Sequence, residues 1–410
     1  MLHLVSDLFQ EQLQALRAQS LHRKLREIGS AQGPEIEIVG RQLANFSSND
    51  YLGLANDPLL RKAATVAIKK FGVGAGASRL VSGTQSPHVA LENALTKWKR
   101  TPAALVFSSG YAAAVGTLPA LASKHDVIIL DKLSHASLID GARLSGATIR
   151  VFPHNHLGKL ESHLEWAQRE LPEARLIVVT ESVFSMDGDQ APLGELVELK
   201  KRFDAVLVLD EAHAIGVLGP NGRGLAAELG LEREVDVQLG TLSKALGVSG
   251  GYICGSRALI DWLINRARSF IFSTAPPPAL AAAATAAIEF LASAEGENRR
   301  LLLWKRIVRL HAELPAAEAA KGTANSAIVP WIVGDEQRAL DLARALQGEG
   351  LLVPAIRYPT VAKGAARLRI TVSAAHTDAQ IAQLGGALRR LTATGYGWDA
   401  AEPRKSGVGT

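Results

Sequence analysis

A single cysteine, Cys254, occurs in 410 residues, which excludes an internal disulfide and a cysteine-based metal cluster. No Gly-Lys-Ser or Gly-Lys-Thr is present, so the phosphate loop of a nucleotide hydrolase is missing. An uninterrupted apolar run is also lacking. Asp7, Glu11 and Arg17 break up the leucines of the N-terminus, leaving no signal-peptide core, and Glu289 interrupts the alanine-rich stretch 279–294, which suits a buried helix better than a membrane span. The net charge of +5 comes from Lys and Arg scattered along the chain. Without a continuous basic stripe or a recognisable module, a nucleic-acid partner is not expected. Short basic clusters such as Arg23-Lys24-x-Arg26 and Lys97-Trp98-Lys99-Arg100 read as solvated helix faces. Cytoplasm is the expected compartment, and 47% hydrophobic against 21% charged residues predicts a large core in more than one domain.

The positive signal centres on Gly240-Thr-Leu-Ser-Lys-Ala-Leu-Gly247. Lys244 stands there among small, polar and apolar residues rather than charges. Such surroundings favour the neutral amine, which condenses with a carbonyl to give a Schiff base. Upstream, residues 203–209 form an apolar run of strand length that ends in Asp210-Glu211-Ala212-His213. Chemistry in an open parallel sheet gathers beyond the carboxyl ends of strands. A strand-end aspartate suits a protonated pyridine nitrogen and a nearby histidine its phenolic oxygen, so Asp210, His213 and Lys244 make one pyridoxal phosphate (PLP) constellation.

Other segments extend it. Residues 103–107 form a short strand leading through Ser108-Ser109-Gly110-Tyr111 into a helix, and the amides of a helix N-terminus stabilise phosphate. Ser109, Gly110 and Tyr111 are therefore candidate phosphate and ring contacts. Thr241, three residues before Lys244, is placed to reach the same phosphate. Alternation along 366–370 puts Arg367 and Arg369 on one strand face, and a guanidinium suits bidentate capture of a carboxylate. The glycine-rich segment 72–84 follows a helical pattern instead of a strand, so it fails as a dinucleotide fingerprint and reads as a flexible loop of small residues.

Together these motifs resemble the α-oxoamine synthase family of fold-type I PLP enzymes, from the N-terminal arm to about Leu391. The resemblance implies an α/β fold with a large, mainly parallel sheet domain over 46–291, an arm over 1–45, a smaller C-terminal α+β domain over 292–393 and a tail over 394–410. It implies that Lys244 is the cofactor anchor and base, that His135 stacks on the pyridine ring, that Ser185 is a cofactor ligand and that Arg369 holds the amino-acid carboxylate. Asn49 and Tyr51 would face the cofactor or amino acid. Arg23, Arg357 and Thr360 would line the acyl side, and Thr274 would donate to the partner subunit's phosphate in a homodimer. The Ile-Arg-Tyr-Pro-Thr-Val and Ser-Arg-Leu-Val-Ser-Gly-Thr strings favour the branch that condenses L-alanine with pimeloyl-CoA or pimeloyl-ACP; branches using glycine or serine share the same catalytic residues. No metal is expected.

Overall fold

The structure is a computed structural model that describes residues 2–314 and 324–393. The expected tail at 394–410 lies outside the described residues. Strands alternate with helices over the first two thirds of the chain. After α1 (Leu2–Ala18), β1 (Glu35–Ile38) and β2 (Arg41–Asn45) come α2 (Pro58–Phe71), α3 (Ser86–Lys99), β3 (Ala103–Phe107), α4 (Gly110–Leu121), β4 (Val127–Asp131), α5 (Ala136–Ser145) and β5 (Thr148–Phe152). There follow α6 (Leu157–Glu170), β6 (Leu176–Glu181), α7 (Leu193–Arg202), β7 (Val206–Asp210), α8 (Leu225–Glu228), β8 (Val237–Thr241), β9 (Gly251–Gly255), α9 (Arg257–Arg266), α10 (Arg268–Ile271) and α11 (Pro278–Leu291). The C-terminal part holds α12 (Ala294–Glu313), β10 (Ile328–Gly334), α13 (Glu336–Gly348), β11 (Leu351–Leu352), β12 (Ala355–Ile356), β13 (Ala366–Thr371) and α14 (Asp378–Leu391).

The main sheet has the order β3-β9-β8-β7-β6-β4-β5. Pairs from β8 through β5 are parallel, whereas β9 runs antiparallel to both β3 and β8. β3, β4, β6, β8 and β9 are buried along their whole length, as expected when helices cover both faces of a sheet. Two core clusters, one on each side, include Val178, Leu207 and Leu209 on one face and Ile177, Val179 and Val208 on the other. This is the period-2 alternation of strands. The alanine-rich α11 packs on α2 and α3, and no single helix among the described residues is long and apolar enough to cross a membrane.

A second sheet has the order β10-β13-β12 and a third the order β1-β2-β11. The N-terminal hairpin thus pairs with a strand some 300 residues later.

Three expectations need correction. The helical apolar spacing of residues 2–28 predicts an arm helix lying on the body, but α1 stops at Ala18, because Ser20 turns to positive φ, and Leu8, Leu13 and Leu16 are exposed. Lys99 is no solvated residue: its side chain is 1% exposed and pairs with Glu211 at 2.5 Å. The glycine-rich segment is no loose loop either. Arg79–Gly83 forms a π-helical turn, and Arg79 holds Glu92 through two 3.0 Å bonds.

Candidate active site

The carboxyl ends of the parallel strands converge. Registers place Glu181 of β6 beside Asp210 of β7, and Asp210 beside Leu239, two residues before Thr241 at the end of β8. Lys244 is half-buried in the turn that follows. Withdrawal from water lowers its ammonium pKa to about 8, with Asp210 and Glu181 opposing and Arg369 adding. Relative to its ordinary 10.5, the neutral amine at pH 7 is enriched on the order of 10²-fold.

Asp210 is buried and accepts the Ala212 N–H at 2.8 Å. Burial raises its carboxyl pKa, while Lys244 and the Ala212 N–H oppose the rise. His213 is buried too, with Nδ1 2.6 Å from the Tyr51 hydroxyl, and burial holds it well below 6.5, in the neutral form. His135 caps α5, its Nδ1 facing Ser137 Oγ at 2.8 Å, and its ring is exposed.

At the other end of the cleft, Ser109 caps α4 by accepting the Ala112 N–H at 3.0 Å. The opening N–H groups of a helix have no intrahelical acceptor. A Cβ on Gly251 would sit 2.4 Å from the Ser109 carbonyl, so the glycine that opens β9 lets the Ser109 turn close onto that strand. Thr241 Oγ1 lies 2.7 Å from Ser243 Oγ. Tyr111, by contrast, is half exposed and donates to Asp140 at 2.8 Å.

Arg369 is buried on β13 and reaches across to the main domain. Its Nε donates to the Ser185 carbonyl at 2.6 Å, and its Nη1 to Asn49 Oδ1 and Thr371 Oγ1 at 3.1 Å each. On the same strand face, Arg367 bonds the Met186 carbonyl and Asp187. Arg23, Thr360 and Arg357 form a separate group at the arm: Arg23 Nη2 donates to Thr360 Oγ1 at 3.2 Å and Arg357 to the Ser20 carbonyl. Thr274 is exposed, bridges to Ser78, and lines a small cleft with Arg79 and Ser108.

Glu181 is the residue that the sequence reading missed. It is buried at a strand end and accepts the His135 N–H at 2.6 Å. Burial, with the Asp210 charge adding and Lys244 opposing, raises its carboxyl from 4.5 to about 8. The folded apoprotein therefore holds a proton there that the unfolded chain releases between pH 4.5 and 8. This contribution to stability is fully present below 4.5 and is lost as pH rises through 8, by at most about 1.4 kcal/mol per pH unit. Glu181→Gln keeps an acceptor for His135, so the apoprotein should lose less stability between pH 5 and 8.5. Urea melts at both pH values check this; parallel losses in the two proteins would contradict it.

The site has a phosphate-suited helix N-terminus, a strand-end carboxylate, a neutral imidazole and an amine of lowered pKa. This donor set fits PLP. The chain matches the aminotransferase class I and II family over residues 41–388. It is 48% identical over 396 residues to 8-amino-7-oxononanoate synthase of Anaeromyxobacter sp. strain K, with 97% of each chain covered. Among solved structures, serine palmitoyltransferase of S. paucimobilis with a bound PLP–myriocin aldimine superposes with a TM-score of 0.88 at 34% identity, covering 95% of this chain and 97% of that one. The 8-amino-7-oxononanoate synthase of Francisella tularensis gives 0.72 at 28%, covering 86% and 99%. With the catalytic-end geometry and the full-length likeness in agreement, the chain belongs to the class I and II aminotransferase family of fold-type I PLP enzymes, among its 8-amino-7-oxononanoate synthases.

Proposed function

We propose that this chain condenses L-alanine with a pimeloyl thioester, releasing carbon dioxide and the thiol carrier and giving 8-amino-7-oxononanoate for biotin biosynthesis. The observation that carries the reading is the meeting of Lys244, Asp210 and His213 beyond the carboxyl ends of β7 and β8 with Arg369, which reaches in from β13. Bound PLP supplies an electron sink for the charge left on the alanine Cα. Lys244, its neutral amine enriched by burial, takes the Cα proton. With PLP bound, Asp210 would pair with the ring nitrogen, His213, backed by Tyr51, would hydrogen-bond the ring oxygen, and the exposed His135 would stack on the ring. Ser109, Gly110, Tyr111 and Thr241 hold the phosphate end, and Ser185 lies beside the ring.

Arg369 spends Nε and Nη1 on protein contacts, leaving Nη2 for the alanine carboxylate. That grip would orient the alanine so that its Cα–H faces Lys244, making the choice of bond a matter of positioning. Arg23, Arg357 and Thr360 take the acyl side, where two nearby guanidiniums suit the anionic groups of pimeloyl-CoA or pimeloyl-ACP. A homodimer completes the site through Thr274. Val73, Leu80, Val81 and Phe272, exposed near it in sequence and across the Ser78–Thr274 bridge, support such a contact, since a cluster of exposed large apolar side chains marks an interaction surface. The arm, the large domain over 46–291 and the small domain over 292–393 then divide the work of lid, cofactor and carboxylate binding. A cytoplasmic location agrees with a chain whose one cysteine is buried and free.

The serine branch is the second reading, favoured by the 0.88 superposition on serine palmitoyltransferase, but 48% against 34% identity favours alanine. Purified protein with PLP and pimeloyl-CoA, offered alanine, glycine and serine in parallel, tests this. Turnover confined to alanine is the expected result; a preference for glycine or serine overturns the substrate assignment. Arg369→Ala should raise KM for alanine about 10- to 100-fold, the loss of a charge-assisted bond of about 1.5–3 kcal/mol, with KM for the thioester changed less than about threefold. Equal changes in both would reject the carboxylate role.

A further inference from the structure

Outside this site, His154 lies between two carboxylates, one at the end of β4 and one in the turn after β6. Its Nδ1 is 3.0 Å from Asp131 Oδ1 and its Nε2 2.7 Å from Asp189 Oδ2. An imidazole flanked by two acceptors must carry both protons to bond both. Partial burial pulls its pKa down, but the hydrogen bonds and charges of Asp131 and Asp189 outweigh that and raise it from 6.5 to about 10. His154 is therefore an imidazolium at neutral pH.

The two acceptors stand next to active-site residues. Asp131 ends β4 and accepts the Leu133 N–H at 2.8 Å, while its carbonyl accepts the Ser134 N–H at 3.1 Å; His135 comes next. Asp189 closes the turn of Ser185: its carbonyl accepts the Phe184 N–H at 3.0 Å, and the Phe184 ring stands edge-on to His154 at 4.3 Å. Asn155 repeats the link, donating its N–H to Asp131 Oδ2 at 2.9 Å and its amide to Asp189 Oδ2 at 3.1 Å.

The bridge is not needed to satisfy Asp131, which already accepts two backbone N–H groups. Asp189 is different. Its other oxygen, Oδ1, is buried without a partner, so its carboxylate is held through Oδ2, by His154 and Asn155. The far side of the same turn is gripped by Arg367 and Arg369. The Ser185 turn is thus suspended between β13 on one side and His154 on the other, and His154 ties that assembly to the strand that presents His135.

We propose that His154 is a positioning residue which, by joining Asp131 to Asp189, sets the His135 loop against the Ser185 turn and so fixes the pocket around the cofactor ring. The inference rests on the roles given to His135 and Ser185 above. A side chain shifted by about 1 Å far from the reacting atoms costs on the order of 10²-fold in rate, so a bridge of this kind matters without touching substrate.

The test uses PLP-loaded full-length protein. His154→Gln has one amide to donate and faces two carboxylates. It should keep its fold and bound PLP, weaken the circular dichroism of the cofactor band, and slow exchange of the alanine Cα proton in heavy water about tenfold, with KM for alanine changed less than about threefold. Adding Asp189→Asn gives the glutamine carbonyl a donor and rebuilds an uncharged bridge, so the double variant should recover at least half of the cofactor signal. Asp189→Ala alone, which removes the acceptor of His154 Nε2, serves if His154→Gln does not fold, and should show the same weakened signal. Unchanged dichroism and exchange in the single variants, or a double variant no better than either, overturns the proposal. A wild-type protein that binds PLP and exchanges no amino-acid Cα proton would instead overturn the functional reading, and the dichroism comparison would still decide the bridge.

Discussion

Lys244→Ala should lower kcat by about 10⁴-fold or more and abolish the visible absorbance of the lysine-bound cofactor. Two losses combine. General base catalysis alone contributes about 10²–10⁴-fold, and the covalent anchor disappears with the same atom. The position is set by β8: Thr241 ends the strand, its hydroxyl accepts the Ser243 N–H at 3.1 Å, and the turn brings Lys244 close to Asp210, Glu181 and Arg369. Lys244→Arg separates charge from amine. It keeps a cation near Asp210 and Glu181, so it should fold and bind PLP as a free ligand, yet a guanidinium does not deprotonate in a protein. Both variants should be equally inactive in a single-turnover assay with alanine and pimeloyl-CoA. Activity in Lys244→Arg within about tenfold of wild type would show that the cation, and not the amine, matters.

The parts of this site that were legible in the sequence are those whose chemistry is local. The run 203–209 ending in Asp210 announces a buried strand by composition, and the alternation of Arg367 and Arg369 announces a shared face; both side chains do reach the turn at 185–187. Two strands carried weaker signals. β9 reads Gly-Tyr-Ile-Cys-Gly, with a glycine at each end, and its place between β3 and β8 is fixed only by antiparallel pairing. β5 contains Arg150 and is mostly half-exposed, as an edge strand allows.

What the sequence hides is the pairing of charges distant along the chain. Lys99 sits in a basic cluster that reads as solvent-facing, yet it pairs with Glu211, 112 residues away, and bonds the Arg223 carbonyl. Glu181 looks like a turn residue until the β6–β7 register puts it beside Asp210. His154 stands 23 residues from one of its carboxylates and 35 from the other. Helix ends fail for a different reason. The apolar spacing of the arm continues through Leu21 and Leu25, but Leu25 is fully exposed and buries nothing, and helical spacing without a surface to bury against carries little stability.

Asp210→Asn should retain the fold and PLP while slowing Cα-proton exchange on alanine on the order of 10²–10³-fold, the loss typical when a preorganised charge contact is removed. The substitution is structurally conservative. Asp210 accepts the Ala212 N–H, an interaction the amide oxygen keeps, and neutralising a buried carboxylate relieves the desolvation that raises its pKa. Thermal stability of the apoprotein should therefore hold or rise, which separates the catalytic effect from unfolding. A second consequence follows from the charges around Lys244. Asp210 raises the Lys244 pKa against the pull of burial, so in Asp210→Asn the free lysine should titrate below its wild-type value of about 8. A titration of the apoprotein lysine with an amine-reactive probe reads that shift directly. Exchange within threefold of wild type, in a variant whose lysine has shifted, would mean that Asp210 tunes Lys244 and does not hold the ring nitrogen; slow exchange with an unshifted lysine would assign Asp210 to the ring alone.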